Sequence, residues 1–174
     1  MSPRWEPNTD IRRGRHVVHN LHVHLVFVTK YRHGVFNDEM LTRCEVIMRN
    51  VCTDFGAELI EFNGEEDHVH LLVHHPPKVA LSNLVNSLKG VSSRYLRQEF
   101  TSHVNRFIMH GRFWSGSYLA GSCDGAPLSI AKQYIEQQKR PSPPAGQSSP
   151  KIGFPPHLKE GIPSEERDGS QEPP

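Results

Sequence analysis

The residues of this chain best spaced for chemistry are two histidines set two apart in a short apolar run, Asp67-His68-Val69-His70-Leu71-Leu72-Val73. Side chains alternate faces along a strand, so His68 and His70 share one side while Val69 and Leu71 take the other. Two imidazoles on one face are a ready pair of metal ligands. The plain alternative is a pair of exposed or hydrogen-bonded strand histidines. Far downstream, Tyr134-Ile135-Glu136-Gln137-Gln138 sets a tyrosine and an amide four residues apart, on one face if the stretch is helical. That spacing puts a phenol one turn from an amide oxygen able to complete a metal site. His22 and His24 form a second His-x-His, and spacing alone does not choose between the pairs; Asp67 beside the later pair favours it.

Periodicity outlines the elements that must position these groups. His22 to Thr29, rich in β-branched and aromatic residues, reads as a buried strand ending in Lys30-Tyr31-Arg32. Asn37 and Asp38 cap a helix whose apolar positions, Met40, Leu41, Cys44, Ile47, Met48, Val51, Cys52 and Phe55, recur at helical spacing up to Gly56. Residues 57–62 alternate as a strand, Asn63-Gly64 marks a turn, and the His68 strand runs on to Pro76-Pro77. A second helix spans 81–100, with Leu81, Leu84, Val85, Leu88, Val91, Tyr95 and Leu96 on its apolar stripe and Lys89, Arg94 and Arg97 outside it. Tyr95 is therefore expected in packing. Residues 113–120 read as a last strand, 121–125 as a glycine-rich connector, and Pro127 opens a helix through about Lys139.

The order β-α-β-β-α-β plus one helix predicts an α+β fold, ferredoxin-like or RRM-like: a four-stranded antiparallel sheet with two helices on one face. A C-terminal helix carries Tyr134, and the other sheet face is expected to stay open for function.

Composition bounds the rest. A chain of 174 residues suffices for one domain with a real core. From Pro141 onward lie nine of the 14 prolines and no hydrophobic periodicity, so 141–174 reads as a disordered tail and 18–140 as the working domain. Residues 1–17, with Arg12, Arg13 and Arg15, read as a flexible arm. The tail holds three cations against five carboxylates, which leaves the body at +3. That mild excess permits phosphate contact without announcing it. Eleven of the 12 histidines lie in the body. Cys44, Cys52 and Cys123 form no Cys-x-x-Cys pair, which fits a reducing cytoplasm, and no run approaches the roughly 18 apolar residues of a membrane span.

Four ordered pieces carry a family resemblance: Val26-Phe-Val-Thr-Lys30-Tyr31-Arg32, Asp67-His68-Val69-His70-Leu-Leu-Val, Phe113-Trp114-Ser-Gly-Ser-Tyr118 and Tyr134-Ile-Glu-Gln-Gln138. Across roughly residues 20–140 the chain resembles the TnpA-like single-tyrosine transposases of small bacterial insertion sequences (the insertion-sequence 200/605 group), within the HUH nuclease superfamily. The resemblance implies that His68 and His70 bind a divalent cation with Gln138 as third protein ligand, and that Tyr134 is the nucleophile. It implies a 5′-phosphotyrosine intermediate that conserves the phosphodiester energy for rejoining. A nitrogen and oxygen donor set without thiolate suits Mg²⁺ or Mn²⁺.

The implied substrate is single-stranded DNA, hairpin-containing at an element's ends, bound by cations such as Lys30, Arg32, Lys89, Arg94 and Arg97 and by stacked aromatics. The implied assembly is a homodimer in which the tyrosine helix of one subunit can complete the other's site, with glycines 116, 121 and 125 as a pliable tether. Three other readings compete: a domesticated relative that cleaves hairpin repeats, a non-catalytic single-strand nucleic-acid-binding module, and a histidine-rich metal-handling protein. Binding alone needs neither the histidine pair nor Tyr134 with Gln138, and metal handling needs no tyrosine.

Overall fold

The computed structural model describes residues 11–123 and 128–141. Strands β1 (Arg12–Arg13) and β2 (Val18–His19) form a small antiparallel hairpin. The rest follows the expected order: β3 (His22–Thr29), α1 (Asp38–Asp54), β4 (Glu58–Gly64), β5 (His68–His74), α2 (Leu81–Glu99), α3 (Thr101–Phe107), β6 (Trp114–Ser122) and α4 (Leu128–Glu136). The main sheet is antiparallel throughout, in the order β4-β5-β3-β6. The α+β, ferredoxin-like expectation holds.

The core forms where the alternation requires it. Val23, Leu25 and Phe27 of β3 and Val69, Leu71 and Val73 of β5 meet the apolar faces of α1 and α2. Helix α1 starts where Asn37 Oδ1 accepts the Met40 amide at 2.8 Å, and the residues of its apolar stripe from Met40 to Cys52 are buried, with Val46 off that stripe exposed. Burial raises the Cys44 thiol strongly and pushes Cys52 up to about 12, so both are inert packing groups. Arg43 clamps α1 to α2 through two bonds to Glu99, at 2.7 and 2.8 Å.

Several expectations are corrected. The second sheet face is not bare, because α4 lies across β4 and β5. Val26, Val28 and Leu72, which alternation turns to that face, are buried there outside the main core, and Ile135 of α4 is 0% exposed. The helix expected over 81–100 ends at Glu99. At Phe100 the backbone leaves helical geometry (φ −120°, ψ 37°), and Thr101 Oγ1 donates back to the Arg97 and Gln98 carbonyls, so α3 is a separate helix. Tyr95 is exposed under the Arg94 guanidinium, 5.2 Å from its ring centroid; Ser92 takes the buried place, because its hydroxyl accepts the Trp114 indole N–H at 3.0 Å.

Strand β6 runs to Ser122, so both Gly116 and Gly121 of the expected tether lie within it, Gly121 paired with His24 and Gly116 in the register shift between Trp114 and Tyr118; Gly125 lies outside the described residues. The described part of the N-terminal arm is the β1–β2 hairpin, tied to the sheet by an Arg12–Glu58 ion pair. The tail beyond residue 141 lies outside the described residues. No described helix is long and apolar enough to cross a membrane.

Gly64 closes the turn into β5. A Cβ there would sit 2.6 Å from the His68 carbonyl oxygen and 3.0 Å from Leu41 and Val69, a clash with backbone that no rotamer relieves. Gly64→Ala is expected to lower unfolding free energy by about 1–3 kcal/mol, read as an earlier denaturant midpoint.

At the opposite end of the same strands, His19 stacks on His74 (centroids 5.1 Å) and His22 lies 4.6 Å from His74. Burial, then the neighbouring His22, His19 and Arg12, depress His74 to about 4 against an opposing pull from Glu58. Between that value and about 6.5, the unfolded chain binds a proton that the folded chain refuses. Stability contributed by neutral His74 is therefore lost as pH falls through this window. A denaturant series from pH 7 to 4 should show a shallower decline for His74→Gln than for the unmutated protein.

Candidate active site

The open-face alternation of β3 and β5 builds the site. His22, His24, Val26 and Val28 of β3 face the same way as His68, His70, Leu72 and His74 of β5, with Val26 opposite His70 and Val28 opposite His68. The diagonal this creates brings His24 Nε2 to 3.0 Å from His70 Nδ1. His68 Nδ1 lies 2.6 Å from Asp67 Oδ1, and Asp67 Oδ2 accepts from Arg32 Nε at 3.1 Å. Burial by itself would raise the Asp67 carboxyl, but the hydrogen bond from His68 and the Arg32 ion pair hold it below the usual carboxylate value. An ionised Asp67 accepts the His68 Nδ1 proton and leaves Nε2 with its lone pair. With the shared proton on His70 Nδ1, donated to His24, Nε2 of His70 is likewise the lone-pair nitrogen. Both Nε2 atoms are buried. Burial, then His68 and His24, keep His70 well below its ordinary pKa, so it is a neutral imidazole, the form that binds metal.

Over this pair lies α4. The Tyr134 ring meets His70 edge-on at 5.6 Å (88°) and His24 at 6.0 Å (73°). Its hydroxyl is buried beside the Gln138 side-chain amide, and no bond of good geometry joins it to a described residue. Burial pushes the phenol up to about 12, against a lowering influence of the Gln138 amide. Gln138 is 6% exposed and donates through Nε2 to the Tyr134 carbonyl at 3.3 Å, which leaves its amide oxygen as the remaining donor atom. Helix α4 stops at Glu136, short of the expected Lys139, and a tighter Gln138 N–H to Ile135 carbonyl bond (3.1 Å) closes it. Gln138 thus reaches the site from just past the helix end.

The structure therefore brings together His68, His70, Tyr134 and Gln138 within one chain. Among the described residues no group of three or more His, Cys, Asp and Glu side chains is arranged to hold a metal. Beside the histidine pair the Gln138 amide oxygen is available as a further donor, and such a nitrogen and oxygen set fits a cation that accepts both.

The expected DNA-contacting cations divide. Lys30 and Arg32 sit in the 3₁₀ turn after β3, next to the histidine pair. Lys30 lies over the Tyr31 ring, which is 59% exposed, and both Tyr31 and Arg32 hold left-handed backbone (φ 54° and 55°). Thr29 Oγ1 fixes that turn by donating to the His33 and Asp67 carbonyls. Lys89, Arg94 and Arg97 lie on α2, across the sheet from the site. Lys89 Nζ donates to the Ser115 and Ser117 carbonyls at 2.8 and 2.9 Å above the Phe27 and Tyr118 rings, and burial lowers it to about 8. Arg97 binds the Ile108 and Gly111 carbonyls. Both are committed to the fold. His24, Asn63 and Arg140 are the site residues sequence reasoning missed; only His24 carried a signal, as half of the His-x-His pair set aside.

A strand histidine pair thus lies under a tyrosine-bearing helix on the four-stranded α+β sheet. The chain belongs to the IS200-like transposase family, whose model matches residues 17–138. It is 30% identical over 129 residues to the ISDra2 transposase TnpA of Deinococcus radiodurans, covering 74% of this chain and 91% of that protein. It is 29% identical over 123 residues to the transposase for insertion sequence element IS200 of Salmonella typhimurium, covering 71% and 80%. A crystal structure of a transposase from Deinococcus radiodurans superposes with a TM-score of 0.60 at 33% identity, over 74% of this chain and 98% of that one.

Proposed function

We propose that this transposase cleaves and rejoins single-stranded DNA at insertion-sequence ends with Tyr134 as its nucleophile and a divalent cation held by His68, His70 and Gln138. The observation that carries the reading is the buried Tyr134 hydroxyl, on a ring 5.6 Å from His70 and with the Gln138 side-chain amide beside it. A phenol held this close to a buried imidazole pair and an amide is placed to attack a phosphate bound between them.

Tyr134 Oη attacks the scissile phosphorus, and the bond from phosphorus to the 3′ oxygen breaks. The products are a 5′-phosphotyrosine and a 3′ hydroxyl: the phenol gives up one proton and the leaving oxygen takes one up. Reversal with a different 3′ hydroxyl rejoins strands without added energy. At the raised pKa of this pocket the phenol is protonated at neutral pH, so its proton must leave as the new bond forms. Bound Mg²⁺ or Mn²⁺ would supply polarisation of the phosphate and charge neutralisation. Asp67 and His24 hold the two imidazoles in the orientation that presents Nε2. Lys30, Arg32 and the exposed Tyr31 ring, at the rim, suit a strand's backbone and an unstacked base.

The expected substrate carries a hairpin, the site of action is the cytoplasm, and the working form is a homodimer, although one chain already supplies every residue named. Labelled single strands from the gene's flanks, incubated with and without Mn²⁺ and resolved by denaturing electrophoresis, test this directly. A cation-dependent covalent protein–DNA adduct is expected. Tight binding of hairpin-bearing strands with no adduct, beside an active relative that forms one, would overturn the reading in favour of a binding module.

A further inference from the structure

Helix α4 ends in an unusual arrangement. Asn63, 8% exposed, is the cross-strand neighbour of His70, so its side chain rises from the sheet beside the histidine pair. Its Nδ2 donates to the Gln138 carbonyl at 2.9 Å and the Glu136 carbonyl at 3.3 Å. Those are carbonyls a helix C-terminus leaves without intrahelical partners. Its Oδ1 accepts from Arg140 Nε at 3.0 Å and from the Gly64 amide at 3.0 Å. Arg140 in turn reaches Asp38 Oδ1 (3.3 Å), Thr42 Oγ1 (3.2 Å) and Glu45 Oε2 (3.5 Å). These three lie at i, i+4 and i+7 on one stripe of α1, so the guanidinium spans from the helix end to the opposite layer of the fold.

We infer that Asn63 and Arg140 form a two-part latch that sets the position of Tyr134 and Gln138 over the chain's own His68 and His70. Both are positioning residues, since neither reaches the reacting atoms. The inference rests on the proposed role of Tyr134 for its catalytic consequence and not for the latch itself. Asn63 is suited to the task because one amide group satisfies two helix-end carbonyls while its oxygen holds the guanidinium. The ion pairs to Asp38 and Glu45 are partly exposed and weak singly. Asn63, buried and engaged through both amide atoms, is the part of the latch whose loss matters most.

Hydrogen exchange on the full chain, paired with the adduct assay, tests this. Asn63→Asp keeps the size and both acceptor contacts but removes the Nδ2 donor and turns a charge toward two carbonyls. It is expected to raise amide exchange across 128–138 about 10-fold or more while β5 amides keep their protection. Adduct formation should slow by roughly 10–100-fold at unchanged affinity for the hairpin strand, the signature of lost placement. Arg140→Ala should act in the same direction, Arg140→Lys should recover part of the loss, and the double variant should be no worse than Asn63→Asp alone.

Unchanged exchange in α4 would overturn the latch. Faster exchange with an unmutated rate of adduct formation would overturn the positioning role. If the unmutated protein forms no adduct, the proposed function fails, while the exchange measurement still decides whether the latch exists.

Discussion

Tyr134→Phe is expected to abolish the covalent DNA adduct, a loss of at least about 10³-fold in cleavage, without unfolding the protein. The two halves of that expectation have separate physical origins. The ring supplies the edge contacts to His70 and His24, and phenylalanine keeps them. The hydroxyl has only the Gln138 amide beside it, without good bond geometry, and that amide keeps its bond to the residue-134 carbonyl when the hydroxyl is removed, so little is stranded. The thermal midpoint should stay level or rise slightly while the chemistry disappears. An adduct that survives this substitution would remove Tyr134 as nucleophile. Tyr118 would not replace it: its ring packs edge-on to Phe27 under the Lys89 ammonium, on the face of the sheet that α1 and α2 cover.

His68→Ala is the second large effect. It should weaken Mn²⁺ binding and cleavage together by about 10²-fold or more, since the ligands matter more than the outer partners, whose loss costs 10–100-fold. Asp67 keeps its ion pair with Arg32 in the variant, so no carboxylate is left alone and the fold should survive. His22→Ala is the matched control. That side chain stacks toward His74 at the other end of the strands, and neither Mn²⁺ affinity nor cleavage should change. Calorimetric titration of chelator-treated protein with Mn²⁺ separates the two variants. An affinity untouched by His68→Ala, or reduced by His22→Ala, would mean that the cation belongs elsewhere.

How far such features could be read from sequence depended on the range of the interactions that set them. Strand β3 and helix α1 were legible because their signals are local: an unbroken apolar run in one, an Asn37 cap and a 3.6-residue stripe in the other. The histidine pair and its shared face followed from a period of two. Separating His24 from His22 was out of reach, because His24 meets His70 only through the β3–β5 register, and register is fixed by the packed sheet. The end of α4 was misjudged for a similar reason. Asn63, more than 70 positions earlier in the chain, supplies hydrogen bonds to carbonyls at and just beyond the helix end, and no propensity at Gln137 or Lys139 reports that. Lys89 was misjudged by type, since a lysine off the apolar stripe reads as a surface charge until two β6 carbonyls are seen to hold it.

Helix α4 packs on β4 and β5 with the same turn that presents the phenol: Ile135, next to Tyr134 in sequence, is wholly buried. Burial of that apolar side chain and delivery of the nucleophile are therefore one structural event. In a deep mutational scan scored by transposition, Ile135 would rank beside the histidines, although its side chain carries no group that does chemistry. A map of intolerant positions would then overstate the catalytic centre by the width of the helix that roofs it.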